Sequence, residues 1–341
     1  MRNWTLTAFV VCMFVVGLSC FSSSAFGQTK PIEITYSTHM PAQHSMTVLS
    51  NEWAKEIEKR TNGKVKVTVF AGGTLLGADK VYDGVVKGIA DVGWVVLGAT
   101  RGRFPLSEVL DLPIGYKTAV AASKMSNEYY NKFKPKEFDE SQVMYLHAHG
   151  PIVLHSKKAV NKFEDIKGLK IRSISLSAKI AAALGGTPVG MPINEAYDAL
   201  SRGVVDASLS PFETLQGFRW AEVTKFSIEL TGSASSEGFA VVMNKRKWNA
   251  LPPDAQKIIM AINEEFVEKQ GKQWDAIDVA GKDFALKLGN KISALPKQEG
   301  EKVATAVKPL LTDYTQNMKK LNLPGDEALK FCTERLKTLQ Q

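Results

Sequence analysis

The sequence predicts two α/β lobes with a cleft between them, and three observations carry that prediction. Strand-like and helix-like segments alternate from residue 31 to residue 96, the alternation restarts after His149-Gly150, and another strand-like run starts at Gly238 before a long helical remainder. Passages of the chain near His149-Gly150 and near Gly238 join the lobes twice, and a doubly joined pair makes a hinged cleft that can hold a ligand.

Pro31 to Tyr36 alternates apolar and polar residues as a strand does, and Ser45 to Arg60 carries Met46, Leu49, Trp53 and Ile57 at helical spacing. Val65 to Phe70 predicts a second strand, Asp79 to Lys87 a helix and Ala90 to Val96 a buried third strand, an order that implies right-handed crossovers and a largely parallel sheet. Val143 to His147 and Ile152 to His155 read as short strands on either side of the first crossing. Lys170 to Ile174 is then a strand, Ala178 to Leu184 and Ile193 to Arg202 are helices, and Val205 to Ser208 is a short strand. Gly238 to Met243 is a strand, Pro252 opens a helix that runs past Trp274, and helices follow at Glu301 to Lys320 and Asp326 to Leu339.

The N-terminus has a separate logic. Arg2, the apolar stretch from Leu6 to Leu18 and the small residues up to Gly27 form a secretory signal whose core is too short to stay in a bilayer. A lipid anchor at Cys20 is the rival, but Gly17 stands where such signals prefer an aliphatic residue. Cleavage after Gly27 removes Arg2, Cys12 and Cys20 from the chain of 341 residues and net charge +8, leaving +7 and a single thiol, Cys332. An exported chain with one thiol has no internal disulfide and depends on packed cores. The positive charge is spread along the chain without a basic block, which argues against a nucleic-acid partner.

Residue patterns for catalysis are absent. Gly72-Gly73-Thr74-Leu75-Leu76-Gly77 lacks the Lys-Ser/Thr of a phosphate loop, and there is no G-x-S-x-G, H-E-x-x-H or C-x-x-C. His147 and His149 share one face of an extended segment, yet two ligands are too few for a metal, so no metal or cofactor is expected. Cys332, in a Lys-rich terminal helix, reads as structural.

Four segments resemble the DctP-type substrate-binding proteins of tripartite ATP-independent periplasmic (TRAP) transporters. They are Gly63-Lys64-Val65-Lys66-Val67 with the Gly77 turn, Phe163 to Arg172, Glu195 to Asp206, and Leu251 to Lys257, in the family's order. The resemblance implies a periplasmic binding protein fold with a long hinge-spanning helix, a carboxylate ligand, and as partners a small and a large membrane subunit driven by a sodium gradient. It divides the chain into a signal at 1–27, one lobe of 28–149 plus 240–278 and another of 150–239 plus 279–341. The mature protein is expected in the periplasm as a monomer.

By its residues alone Arg172, at the end of an apolar strand, reads as the partner of a structural acid; the resemblance instead assigns its planar fork to the ligand carboxylate. Several positions depart from the family pattern. Ile152 stands where many members with dicarboxylate or acidic-sugar ligands carry a second arginine, Ser210 where an asparagine is usual, and Val96 and Ile193 where some relatives place a glutamate and a phenylalanine. A second ligand carboxylate against Ile152 and Val96 would be buried unpaired, so the pattern favours one carboxylate. Trp94, Phe212 and Phe218 are candidates for an apolar wall, with core packing the equal alternative for Trp94 and Phe212. Thr38, His39 and His149 can offer hydrogen bonds to a keto or hydroxyl oxygen. Asp79 and Lys80 read as helix-capping and surface residues, Trp53 as core, and Asp206 as the fixer of a turn. The expected ligand is an aromatic or otherwise apolar monocarboxylate or 2-oxo acid. A small polar 2-oxo or 2-hydroxy acid and a sensory binding protein are the alternatives, and an exported hydrolase is the rival from another class.

Overall fold

The computed structural model describes residues 30–100, 102–230 and 234–341, and the expected signal at 1–27 lies outside them. The chain runs through β1 (Ile32–Ser37), α1 (Ser45–Arg60), β2 (Val65–Phe70), α2 (Val81–Lys87), β3 (Val92–Val96), α3 (Ala119–Phe133) and β4 (Ser141–Ala148). It continues with β5 (Val153–Ser156), β6 (Lys170–Arg172), α4 (Ser175–Ala183), β7 (Thr187–Val189), α5 (Ala196–Ser201), β8 (Ala207–Ser210), α6 (Thr214–Gly217) and β9 (Phe226–Glu229). Then come β10 (Gly238–Asn244), α7 (Lys245–Asn249), α8 (Pro253–Lys287), β11 (Lys291–Ala294), α9 (Lys297–Val307), α10 (Pro309–Lys320) and α11 (Gly325–Leu339).

Two sheets form, with strand orders β2-β1-β3-β10-β4 and β7-β6-β8-β5-β9-β11. In the first, β1 pairs parallel with β2 and β3, while β10 is antiparallel to both its neighbours. In the second, β6 pairs parallel with β7 and β8, and β5 alone is antiparallel to both its neighbours. The reversed strand is in each case the first one built after the chain arrives from the other sheet. A strand entering from the cleft side must run against strands that end there, so the C-terminal ends of the remaining strands face the crossing, where open α/β sheets bind ligands.

Local chemistry accounts for the elements. In α1 the predicted stripe of Met46, Leu49, Trp53 and Ile57 is buried, and His44 caps the helix by accepting the Met46 N–H at 3.2 Å. The 35-residue helix α8 is about 52 Å long at 1.5 Å per residue and ties both halves together. Asn263 accepts the Trp53 indole N–H at 2.8 Å, and Gln270 donates to the Tyr145 hydroxyl at 3.0 Å. One turn further Trp274 donates to His147 Nδ1 at 3.1 Å, Asp278 accepts the Glu213 N–H at 2.8 Å, and Lys282 reaches Glu229 at 2.9 Å. Two glycines make this closeness possible. A Cβ at Gly271 would lie 2.6 Å from the Val120 Cα, and one at Gly281 would lie 2.2 Å from the Phe212 carbonyl oxygen.

Some expectations shift. The strand expected at Val205 to Ser208 forms at Ala207–Ser210, because Asp206 turns the chain by accepting the Lys170 N–H at 3.0 Å with its carboxylate. The helix expected from Glu301 to Lys320 divides at Pro309, whose ring removes a backbone donor and restarts the helix as α10. The structure adds helices α3, α6 and α7 and strands β7, β9 and β11 to the elements expected from the sequence. The C-terminal helices touch both halves: Glu299 of α9 accepts the Phe163 N–H at 2.7 Å, whereas Arg335 of α11 pairs with Glu128 of α3 at 2.8 Å. Cys332 is buried in α11, and burial pushes its thiol pKa up. Among the described residues no helix is long and apolar enough to cross a membrane.

Candidate functional site

Arg172 closes β6 between Val189 of β7 and Ser208 of β8, and only 4% of its surface is exposed. Its Nε and Nη2 donate to the Met191 carbonyl at 3.2 and 3.1 Å, which fixes one edge of the guanidinium and leaves the rest of the fork open. Among the described residues no carboxylate comes within 4.0 Å of it. The Trp220 ring lies 6.0 Å from its central carbon. Burial pulls its pKa down to about 10, opposed by the charge of Glu237, so it is a cation at neutral pH.

The opposite wall is aromatic. Trp94 of β3 lies 5.2 to 6.1 Å from the rings of His39, His147, Phe239 and Trp274, measured between centroids. Desolvation holds His39 and His149 near a pKa of about 4 and His147 near about 3, so all three are neutral at pH 7. His149 Nδ1 donates to the Gly150 carbonyl at 2.6 Å, and since Trp274 donates to His147 Nδ1, the His147 proton sits on Nε2. That Nε2, Trp94 Nε1 and His39 Nδ1 are buried polar atoms without a partner among the described residues.

Three contacts bind the walls together. Ser175, at the start of α4, donates to the Gly98 carbonyl; Lys179 pairs with Glu108 at 2.7 Å; and His44 pairs with Glu213 at 3.0 Å in a buried position. His44 Nδ1 is occupied as the helix cap, so Nε2 donates to the Glu213 carboxylate.

A bacterial extracellular solute-binding protein family 7 (DctP) model matches residues 36–317. The chain belongs to this family. DctP proteins of this kind are substrate-binding proteins of TRAP transporters and not enzymes. The periplasmic 2,3-diketo-L-gulonate-binding protein YiaO of Escherichia coli is 28% identical over 84% of this chain and 93% of its own. A TRAP solute-binding protein of Rhodoferax ferrireducens, solved with copurified benzoate, is 29% identical with a TM-score of 0.85, covering 91% of this chain and 98% of its own. One from a marine metagenome, specific for aromatic acids and solved with metahydroxyphenylacetate, is 26% identical with a TM-score of 0.87, covering 91% and 100%. The two-lobed fold and the periplasmic family follow from these likenesses.

Within this DctP fold the remaining candidates fall into three groups. Val96 pairs with Phe239 at the end of the first sheet, and Ile152, whose N–H donates to the Ser235 carbonyl at 2.9 Å, lies on the crossing; both are buried. Thr38 and Ser210 spend their hydroxyls locally, Thr38 accepting the Met40 N–H at 3.3 Å and Ser210 donating to the Leu209 carbonyl at 2.7 Å. Phe212 is packed in the second-lobe core beneath Lys282, which lies 4.2 Å from its centroid, and half-buried Ile193 leans on that core.

One charged residue escaped the sequence reading. Half-buried Glu237 directly precedes β10, and burial raises its carboxyl pKa to about 7 against the pull of Arg172. Its neighbour Gly238 donates to Asp111 at 2.7 Å, and Asp111 is pushed well above the carboxylate range, first by burial and then by Glu237. Among the described residues no group of three His, Cys, Asp or Glu side chains is placed to hold a metal ion.

Proposed function

We propose that the protein captures an aromatic or otherwise apolar monocarboxylate, 2-oxo acids included, in the periplasm and hands it as a monomer to the small and large membrane subunits of a TRAP transporter. The observation that carries this reading is Arg172, a buried cation with an open guanidinium edge and no carboxylate within 4.0 Å among the described residues. An unpaired buried charge is costly, and a ligand carboxylate on that edge offsets the cost. Val96, Ile152 and the rings around Trp94 supply apolar surface, each Å² of which removed from water contributes about 25 cal/mol. The benzoate and metahydroxyphenylacetate bound by the two similar solved proteins support an aromatic acid.

A second reading, a small polar 2-oxo or 2-hydroxy acid, is favoured by the unpartnered atoms of His39, Trp94 and His147, which suit a ligand richer in oxygen. The diketo acid named for YiaO points the same way. A thermal-shift screen of organic acids separates the readings, because a ligand that binds only the folded state raises the melting temperature. Phenyl and indolyl derivatives of acetate and pyruvate are expected to stabilise the protein more than succinate, malate or sialic acid. A C4 dicarboxylate that displaces every aromatic acid would sink the aromatic reading.

A further inference from the structure

We infer that Glu237 reads the substituent on the carbon beside the ligand carboxylate, selecting acids that carry a hydrogen-bond donor there, such as 2-hydroxy acids, over 2-oxo acids. This rests on the proposal that Arg172 holds the carboxylate. The placement of Glu237 comes from its neighbours. Ser235 accepts the Ile152 N–H at 2.9 Å and Ser236 donates to the His149 carbonyl at 2.8 Å, so the segment carrying Glu237 runs beside the first crossing. Gly238 donates to Asp111 Oδ1 at 2.7 Å, and Asp111 Oδ2 lies 3.2 Å from where a Cβ of Gly98 would stand. Gly98 in turn accepts the hydroxyl of Ser175, three residues after Arg172. This chain of contacts brings the second crossing to the edge of the cleft where β6 ends. Arg172 and Glu237 each bear on the other's charge, yet they are not within the 4.0 Å of an ion pair.

A cation and an anion that bear on each other without forming an ion pair suit a ligand with its own acceptor and donor on adjacent atoms. A carboxylate accepts from Arg172, and a neighbouring hydroxyl or N–H donates to Glu237. A keto oxygen there would set two acceptors against each other, which costs affinity. The groups bearing on Glu237 are Arg172 from β6 and Asp111 from the turn before α3.

The test uses a series that differs only at this carbon: phenylacetate, phenylglyoxylate and mandelate, titrated by calorimetry at pH 8. Wild type is expected to bind mandelate at least tenfold more tightly than phenylglyoxylate, with phenylacetate between them. Glu237→Gln, which keeps the size, removes the charge and adds donors, is expected to reduce that ratio below about threefold, mainly by improving phenylglyoxylate. As a check independent of the variant, phenylglyoxylate binding to wild type should take up protons, seen as a buffer-dependent heat, while mandelate binding takes up fewer. A wild-type ratio near one, or a ratio that Glu237→Gln leaves unchanged, overturns the inference while the carboxylate role of Arg172 stands. If no phenyl acid binds, the aromatic reading fails and lactate against pyruvate carries the same test; if neither pair binds, both readings fall.

Discussion

In the first lobe the polar groups around Trp94 are buried in their neutral forms, with imidazoles held near pKa values of about 3 to 4 by desolvation. In the second lobe Arg172 is buried to a similar degree but keeps its charge, because a guanidinium pulled down to about 10 is still protonated at pH 7. The two walls meet the cost of burial differently. One discards charge and stacks rings; the other retains a charge and completes only part of its hydrogen bonding. The contrast supports the proposed ligand role of Arg172, since a wall that is already neutral gains mainly from apolar contact, whereas an incompletely paired cation gains from an anion.

The comparison breaks most sharply at Arg172. Arg172→Ala is expected to weaken the best aromatic acid at least a hundredfold, on the order of 2.7 kcal/mol, because a charge-assisted pair is lost in a buried site. Arg172→Met should lose binding as well, but its ligand-free melting temperature should be no lower than wild type, as replacing a buried unpaired charge by an apolar chain removes a cost. Calorimetry and thermal melting read both, and binding within about threefold of wild type would contradict the assigned role.

The helix that joins the walls gives a smaller effect. Gly281→Ala forces a Cβ toward the Phe212 carbonyl, 2.2 Å away in the present packing, and should cost roughly 1 to 3 kcal/mol in chemical denaturation. Part of that should appear as weaker ligand binding if closure draws Phe212 and α8 together. A neutral substitution would show that α8 is not pressed against this segment.

The histidine wall and the joining helix also differ in pH response. His39, His147 and His149 are depressed from 6.5, so their contribution is complete above pH 6.5 and is lost as pH falls toward 4. Asp278 is raised from 3.8 to about 8, by burial first, so its contribution is present below pH 3.8 and is lost as pH rises through about 8. Asp278→Asn should therefore flatten the fall in stability that runs from about pH 4 to about 8, a slope of at most about 1.4 kcal/mol per pH unit, while the loss from the histidines below pH 6.5 remains. Melting curves from pH 4 to 9 check both signs. The smallest signal is shape: saturating ligand should reduce the radius of gyration in solution scattering if the walls close on it.

Much of this arrangement is legible in the chain. The Met46, Leu49, Trp53, Ile57 stripe fixes α1 because a four-residue apolar repeat has one helical solution. Arg172 stands out as a charge ending an apolar strand. Helix α3 stands out less, since five of its seven buried residues, Ala119, Ala121, Ala122, Ser123 and Ser126, are small and only Met125 and Tyr129 are large. Strands β7 and β11, of three and four residues, are shorter than a periodicity can reveal. Glu237 was hidden for another reason: it precedes an apolar strand, and the residues that give it meaning, Arg172 and Asp111, are distant in sequence. Trp94 and Phe212 read alike in sequence, but Phe212 lies in the second-lobe core, whereas Trp94 belongs to the ring cluster that ends with an unpartnered N–H.

A crystal structure of the protein grown with a saturating aromatic acid, such as phenylacetate, is the decisive measurement of the ligand role of Arg172. The ligand carboxylate is expected on the free edge of Arg172 at charge-assisted hydrogen-bond distance, about 2.7 to 2.9 Å, with the ring toward Val96, Ile152 and the Trp94 cluster. A carboxylate bound elsewhere, with Arg172 turned to pair with Glu237, would contradict it.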